Sequence, residues 1–175
     1  EHGSRDRQLI ADTVAQMQSL SITAIVRTPN TDEVWVAMAL DAGADGVLVP
    51  YCETVDEVRH TAIKAKTHPL KGEYYEKVVA TGEYPSEKSE KYLNNRHKDR
   101  IFIMGIESEP AANRVEELIE CAPIDAVFIG PNDMTTSLGI PDEVDNPIYI
   151  DTLSKIIKAA DDRGLPTMIH QQTIS

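Results

Sequence analysis

The sequence predicts an α/β fold in which a parallel β-sheet is covered by helices. Two observations lead to this prediction. Several short segments are apolar along their whole length, as strands buried on both faces are, and amphipathic segments with helix-capping residues alternate with them. A (β/α)8 barrel and an open doubly wound sheet share this pattern, and the periodicity alone does not separate them.

The first elements lie before residue 45. Apolar residues at helical spacing over 9–17 predict an amphipathic helix, and the apolar run 23–26 predicts a strand that ends at Arg27. Thr31 is expected to cap the next helix, and Gly43 follows its last turn.

Two further strands follow, each leading into a helix. The apolar run 46–50 is the second predicted strand, and Thr54 and Glu57 form a capping box that opens the helix after it. The run 101–104 is the third strand, and Ser108 is placed to cap the following helix.

The last predicted elements continue the alternation. The run 126–130 is the fourth strand, and residues 151–163 form an amphipathic helix that Gly164 terminates. A fifth strand begins at 167–169. The whole pattern is one domain of alternating strands and helices.

Residues 71–100 differ from the rest in composition. They carry seven basic and six acidic side chains, in a chain whose formal net charge is −12. Their polarity predicts a long loop or a partly ordered, divergent insertion at about 72–100. Such a segment could cover an active site as a lid, or it could be a solvated excursion of the surface.

The composition argues against several classes of function. With 29 acidic and 17 basic residues among 175, the chain is not expected to bind nucleic acid or an anionic membrane. It has neither the dinucleotide-binding glycine fingerprint nor a phosphate-binding P-loop motif. Cys52 and Cys121 have no disulfide-framework or metal-binding spacing, which fits a reducing compartment and predicts a cytoplasmic protein.

Polar residues follow the predicted strands where a parallel sheet positions chemistry, at the carboxyl ends. Arg27, Glu107, Asp133 and His170 lie at or just beyond such ends. Two carboxylates on neighbouring strands can share one divalent cation, and oxygen ligands suit Mg²⁺ or Mn²⁺. Zinc is disfavoured because the sequence has no cluster of cysteine and histidine.

Each of these residues also has a structural interpretation. Glu107 could stabilise the start of a helix, Asp133 could be an ordinary turn residue, and Arg27 could form a structural ion pair. His170 could be a histidine at the rim of the sheet, and His2 could be a terminal residue without a role.

Several segments together resemble the HpcH/HpaI aldolase family, the metal-dependent (class II) pyruvate aldolases. The matching segments are residues 1–3, 26–29, 40–47, 106–108 and 127–133. The last of these is the most specific, because it reads Val-Phe-Ile-Gly-Pro-Asn-Asp, close to the strand-loop signature of the family. The resemblance covers most of the chain but not residues 72–100.

The resemblance implies a (β/α)8 barrel that cleaves a 2-keto-4-hydroxy acid reversibly into pyruvate and an aldehyde. By matching positions, Glu107 and Asp133 would hold a divalent metal, Mg²⁺ first and Mn²⁺ or Co²⁺ as alternatives. The backbone from Gly130 to Asn132 would bind the substrate carboxylate. The only partner implied besides this keto acid is further copies of the chain, typically in a hexamer.

The same matching assigns three catalytic residues. Arg27 would stabilise the enolate, and His2 would act as the base. Asp41, from a neighbouring subunit, would raise the basicity of that histidine. The chemistry is consistent with these types of residue, because a cation and a guanidinium stabilise a developing oxyanion and an imidazole titrates near neutral pH. A lysine Schiff base is disfavoured because no predicted strand ends in lysine.

Two departures keep alternatives open. Many relatives carry glutamine two residues before the metal-binding glutamate, where this chain has Gly105, and the segment 72–100 is rebuilt. A non-catalytic paralogue or truncated assembly subunit is therefore one alternative, and an enzyme similar to citrate lyase β or malyl-CoA lyase is another.

The length of the chain bears on whether it forms a whole barrel. A (β/α)8 barrel takes about 250 residues, and this chain has 175. We therefore expect a truncated barrel that lacks the first and the eighth strand.

Overall fold

The described part of the chain forms one parallel sheet. A computed structural model describes residues 6–170, and its strands are β1 (Ile25–Arg27), β2 (Gly46–Val49), β3 (Ile101–Ile106), β4 (Ala126–Ile129) and β5 (Thr167–Ile169). These five strands pair in sequence order, each parallel to its neighbour. A barrel requires this order, whereas a doubly wound sheet reverses its strand order at a switch point. The predicted strands are confirmed, and their order favours the barrel.

Helices connect the strands. They are α1 (Arg7–Ser19), α2 (Glu33–Asp41), α3 (Val55–Thr67), α4 (Glu73–Thr81), α5 (Glu87–His97), α6 (Glu109–Asn113), α7 (Val115–Glu120), α8 (Pro131–Ser137) and α9 (Pro147–Asp161). The capping box of Thr54 and Glu57 is present as predicted. The cap of α2 is Asp32, one residue after the predicted Thr31. Within residues 6–170, no helix is long and apolar enough to cross a membrane.

The prediction of a long loop in residues 71–100 was wrong. The segment folds into α4 and α5, separated by a short turn before Ser86, whose side chain caps α5. Tyr75, Val78 and Val79 lie at helical spacing and are buried, so α4 has an apolar face despite the polar composition around it.

Two other helices differ from their predicted bounds. The last one, α9, begins at Pro147 because Asn146 caps it, so it starts before the predicted residue 151. The helix that Ser108 caps is interrupted at Arg114, where the backbone leaves helical geometry, and it continues as α7.

The two faces of the sheet have different roles. One face packs against the helices through buried side chains that alternate along the strands, among them Val47, Val49, Phe102, Met104 and Val127. Alternate residues face the other way, and that face carries Arg27, Gly105 and Phe128. The polar residues at the carboxyl ends of the strands lie on this second face.

Tyr75 fixes α4 to the rest of the fold. Its hydroxyl lies 2.6 Å from a carboxylate oxygen of Glu33 and 2.6 Å from the backbone oxygen of His60. Tyr75→Phe is expected to lower the free energy of unfolding by about 1–3 kcal/mol, because it removes the hydroxyl that donates to one of these two half-buried acceptors. Urea unfolding measures this loss, and Tyr74→Phe is the matched control because Tyr74 is exposed. Equal stabilities of the two variants would contradict the prediction.

Candidate active site

Arg27 and Glu107 meet at the carboxyl ends of β1 and β3. Arg27 is the last residue of β1, and Glu107 directly follows β3 on the same face of the sheet. Nη2 of Arg27 lies 3.6 Å from Oε1 of Glu107. The parallel arrangement of the strands is what brings two residues 80 positions apart in the sequence to one edge.

Tyr51 is a site residue that the sequence did not single out. It follows the end of β2, and the Arg27 guanidinium lies 5.5 Å from the centroid of its ring. Its φ of 58° is in the left-handed region, which non-glycine residues seldom adopt. Its place directly after a strand-ending proline is the signal that could have identified it, since Pro50 marks the strand end.

The Glu107 carboxylate is buried without a normal hydrogen bond. Its side chain is 1% exposed, and neither oxygen has a hydrogen-bond partner among residues 6–170. Burial raises the pKa of Glu107, the charge of Arg27 lowers it, and the charge of Asp133 raises it. The nearest donors, the Arg27 side chain and the Tyr51 backbone, favour the ionised form without reaching normal geometry. A buried carboxylate with both oxygens available has the character of a cation ligand.

Gly130 makes room for this carboxylate. A Cβ atom at Gly130 would lie 2.9 Å from Oε1 and 3.0 Å from Cγ of Glu107. The φ of Gly130 is −90°, which any residue adopts, so glycine is required here by the contact and not by the backbone.

The residues directly after β4 form a helix. Pro131 occupies the first turn of α8, and Asn132 and Asp133 follow it there. Asp133 is close enough to raise the pKa of Glu107, so the two predicted metal-binding carboxylates lie in one region. The exposed Asn132 precedes it at the open edge of the site. The alternative that Asp133 is an ordinary turn residue is wrong, since Asp133 lies in α8, a helix of seven residues that is too short to show periodicity.

Gly105 lies where two strands approach closely. A Cβ atom there would be 2.8 Å from the backbone oxygen of Val49 and 2.9 Å from Cα of Pro50. We therefore expect Gly105→Ala to lower the free energy of unfolding by about 1–3 kcal/mol through overpacking against backbone. Thermal unfolding of the variant checks this, and an unchanged midpoint would show that the strands can separate at no cost. A side chain at position 105 is thus incompatible with this backbone.

Asp41 does not join the site within this chain. It ends α2, and α2 runs back from the carboxyl end of β1 toward the amino end of β2, so Asp41 lies at the opposite edge of the sheet from Glu107. There Oδ1 of Asp41 lies 2.8 Å from Nε2 of His68. The exposed side chain of Asp41 could reach the site only in another copy of the chain.

Of the two histidines that the sequence analysis singled out, the structure describes only His170. His2 lies outside the described residues. His170 follows β5 and lines a cavity that also contains Asn132, which agrees with a position at the rim of the sheet.

The described residues bear on metal and lysine chemistry. Within residues 6–170, no group of three or more histidine, cysteine, aspartate or glutamate side chains converges on one point. The buried Lys64 lies on α3, with Nζ 3.4 Å from the centroid of the Tyr75 ring, and it is not at a strand end.

The raised pKa of Glu107 predicts a pH dependence of stability in EDTA. An acid with a higher pKa in the folded than in the unfolded protein stabilises the fold while protonated, and this contribution is lost as pH rises through the folded-state pKa. The free energy of unfolding of the wild type should therefore fall relative to that of Glu107→Gln as pH rises above 4.5, the ordinary pKa of this carboxyl group. Urea unfolding over a pH series measures it. A difference that does not vary with pH would contradict the assigned shift.

The sequence of the chain is similar to those of known aldolases. A family model described as HpcH/HpaI aldolase/citrate lyase matches residues 1–170. The chain is 28% identical over 164 residues to the 2-keto-3-deoxy-L-rhamnonate aldolase of Shigella sonnei, which covers 90% of this chain and 61% of that protein. It is 32% identical over 127 residues to the hydroxypyruvate/pyruvate aldolase of Sagittula stellata, which covers 72% and 49%. The chain thus spans about half to three fifths of the length of these relatives.

The fold has a counterpart among solved structures. The crystal structure of an HpcH/HpaI aldolase from Desulfitobacterium hafniense DCB-2 superposes with a TM-score of 0.81 at 24% identity. The match covers 100% of this chain and 67% of that one. The predicted α/β fold of the barrel type is therefore confirmed.

Proposed function

We propose, because the chain belongs to the HpcH/HpaI aldolase/citrate lyase family, that the protein cleaves a 2-keto-4-hydroxy acid reversibly into pyruvate and an aldehyde. The observation that carries this proposal is the buried Glu107 carboxylate, 3.6 Å from the Arg27 guanidinium at the ends of two parallel strands. The aldolase names of the two curated relatives support the same class of reaction.

Glu107 and Asp133 are the residues that would hold a divalent cation. The chemistry of this donor set fits the group, since Glu107 offers two buried oxygens that no described donor satisfies and Asp133 adds a second negative charge. Oxygen ligands and open positions favour Mg²⁺, with Mn²⁺ and Co²⁺ as alternatives. Such a cation, when bound, polarises a carbonyl and stabilises negative charge on its oxygen.

The residues of the chain perform the remaining work in the cleavage. The C3–C4 bond breaks as the 4-hydroxyl proton passes to a base, for which we propose His2, and the electron pair becomes the enolate of pyruvate. The Arg27 guanidinium would stabilise the enolate oxygen, and its position 5.5 Å from the centroid of the Tyr51 ring supports a fixed place for it at the site. Protonation at C3 then completes pyruvate.

The start of α8 is the proposed binding site for the substrate carboxylate. The first backbone N–H groups of a helix have no partner within the helix, and at α8 they belong to the segment that begins after Gly130. Gly130 and Asn132 would thereby orient the keto acid against Glu107, with its reacting carbons toward Arg27.

Assembly into a homo-oligomer, as a hexamer, belongs to the same proposal. Its support is the position of Asp41 at the edge of the sheet opposite Glu107, from which it could serve only the site of a neighbouring copy. A cytoplasmic location is proposed from the two free cysteines.

A coupled assay for pyruvate tests the proposed reaction. The purified protein is given a panel of 4-hydroxy-2-keto acids with Mg²⁺, Mn²⁺ or Co²⁺, and pyruvate is followed through lactate dehydrogenase. We expect release of pyruvate with at least one substrate. No release from any substrate, in either the forward assay or the condensation direction, would favour a non-catalytic subunit.

A further inference from the structure

The hydrogen-bond ladder between β2 and β3 is interrupted directly after β2. The N–H of Ile101 donates to the carbonyl oxygen of Asp45, and this bond fixes the register of the two strands. Because the bonds of a parallel ladder recur at every second residue, the regular donor to the carbonyl oxygen of Gly105 would be residue 51. The N–H of Cys52 donates to that oxygen instead, at 3.2 Å. One extra residue, Tyr51, is therefore inserted as a β-bulge.

The bulge holds Tyr51 in a strained backbone conformation. Its φ of 58° lies in the left-handed region, which glycine adopts freely and tyrosine does not. Pro50, directly before it, has no N–H and cannot continue the ladder, and bulges are among the few places in a sheet that tolerate proline. Strained residues cluster at functional sites, and bulges beside active sites redirect a side chain. The strain at Tyr51 therefore indicates a role for its side chain that glycine could not fill.

Both the ring and the backbone of Tyr51 face the ion pair of the site. The Arg27 guanidinium lies 5.5 Å from the centroid of the Tyr51 ring. The backbone N–H of Tyr51, released from the ladder, favours the charged form of the Glu107 carboxylate, and Oε1 of that carboxylate lies 3.6 Å from Nη2 of Arg27. The Tyr51 side chain is exposed, so its ring adds little to the hydrophobic core. Contact with the ion pair is therefore what the bulged residue provides.

We propose that Tyr51 is a positioning residue of the aldol cleavage: the bulge turns its ring toward Arg27, and the ring keeps the guanidinium in the place where it stabilises the enolate oxygen. The inference rests on the proposed function and adds a residue to it. An aromatic face attracts a cation beside it by a factor of about 2 to 30, depending on how far the cation is desolvated. The keto oxygen gains negative charge only as the C3–C4 bond breaks, so the ring should act on kcat more than on KM.

Substitution of the ring tests its role in catalysis. Tyr51→Leu keeps an apolar side chain without the aromatic face and should lower kcat for pyruvate release about tenfold, with KM within about twofold of the wild type. Tyr51→Phe keeps the face and should retain kcat to within about twofold. Tyr92→Leu is the matched control and should leave both constants unchanged, because Tyr92 is an exposed tyrosine beside Arg96 on α5, away from the strand ends.

Ligand binding gives a readout that does not depend on turnover. Oxalate resembles the planar, doubly charged enolate of pyruvate, whereas pyruvate itself has a neutral keto group. With Mg²⁺ present, calorimetry should show that Tyr51→Leu weakens the binding of oxalate about tenfold and that of pyruvate less than about threefold. In the Arg27→Met background the same change should weaken oxalate binding less than about twofold, because the ring acts through the guanidinium.

The melting temperature separates this role from a purely structural one. Asparagine tolerates a positive φ better than tyrosine does. Tyr51→Asn should therefore keep the wild-type melting temperature or raise it by about 2–4 °C, while kcat falls as it does in Tyr51→Leu. A residue that only stabilised the loop would show the opposite, a lower melting temperature with kcat unchanged, and that result would overturn the inference.

The remaining outcomes distinguish this inference from the proposed function. A wild-type kcat in Tyr51→Leu, an equal loss of kcat in Tyr51→Phe, or equal weakening of oxalate and pyruvate overturns the inference and leaves the aldol cleavage standing. A weakening of oxalate in the Arg27→Met background as large as in the wild type does the same. No pyruvate from the wild type with any 4-hydroxy-2-keto acid overturns both.

Discussion

Glu107→Gln is expected to lower pyruvate release at least about a hundredfold while the protein stays folded. The change removes the negative charge from the most buried carboxylate of the site and keeps its shape. Loss of a group that stabilises developing charge costs about 10²–10³ in rate when it is a single donor, and loss of a metal ligand costs more. The pyruvate assay under saturating Mg²⁺ measures the rate.

We also expect Glu107→Gln to differ from the wild type in its stability without metal and in its response to added metal. Burial disfavours the charge of Glu107, so the variant should be at least as stable as the wild type in EDTA, whereas Mn²⁺ should raise the melting temperature of the wild type alone. Glu109→Gln is the matched control, because Glu109 is exposed two residues further along. Full activity in Glu107→Gln, or equal loss in Glu109→Gln, would contradict the assigned role.

Gly130→Ala is expected to be the next most damaging change. The new Cβ would lie 2.9 Å from Oε1 of Glu107, closer than real contacts allow, so the carboxylate or the start of α8 must move. A displacement of about 1 Å at a reacting centre can cost 10²-fold in rate. The φ of −90° permits alanine, so the loss would come from this contact alone.

A second change tests the contact itself. Glu107→Asp shortens the side chain, so in that background Gly130→Ala should cost clearly less than it does in the wild type, and activity of all four proteins gives the coupling. Equal costs in both backgrounds would show that Gly130 acts independently of Glu107.

The sheet and the strand-end residues could be predicted because each depends on local pattern and one topological rule. Strands that are apolar throughout must be covered on both faces, and a parallel sheet brings their carboxyl ends together. Arg27 and Glu107 were predicted at such ends and lie 3.6 Å apart. Their assigned chemical roles stay proposals.

The features that could not be predicted from the sequence depend on contacts between residues that are far apart in the chain. Helix α4 is stabilised by Tyr75, whose hydroxyl reaches Glu33, and no local signal in the polar segment 71–100 indicates that contact. The close approach of Gly105 to the β2 end and of Gly130 to Glu107 likewise arises only when the strands pack. The bond between Asp41 and His68 joins residues whose pairing has no sequence pattern.

Removal of the metal is the most direct test of the proposed cation site at Glu107 and Asp133. The protein is treated with EDTA and assayed for pyruvate release from a 4-hydroxy-2-keto acid that it cleaves, and the assay is repeated after Mg²⁺ is added in excess. A parallel sample is incubated with pyruvate and borohydride, which would trap a lysine Schiff base. We expect that EDTA abolishes activity, that Mg²⁺ restores it, and that borohydride leaves it intact. Activity that survives EDTA, or irreversible loss with pyruvate and borohydride, would contradict a cation held by Glu107 and Asp133.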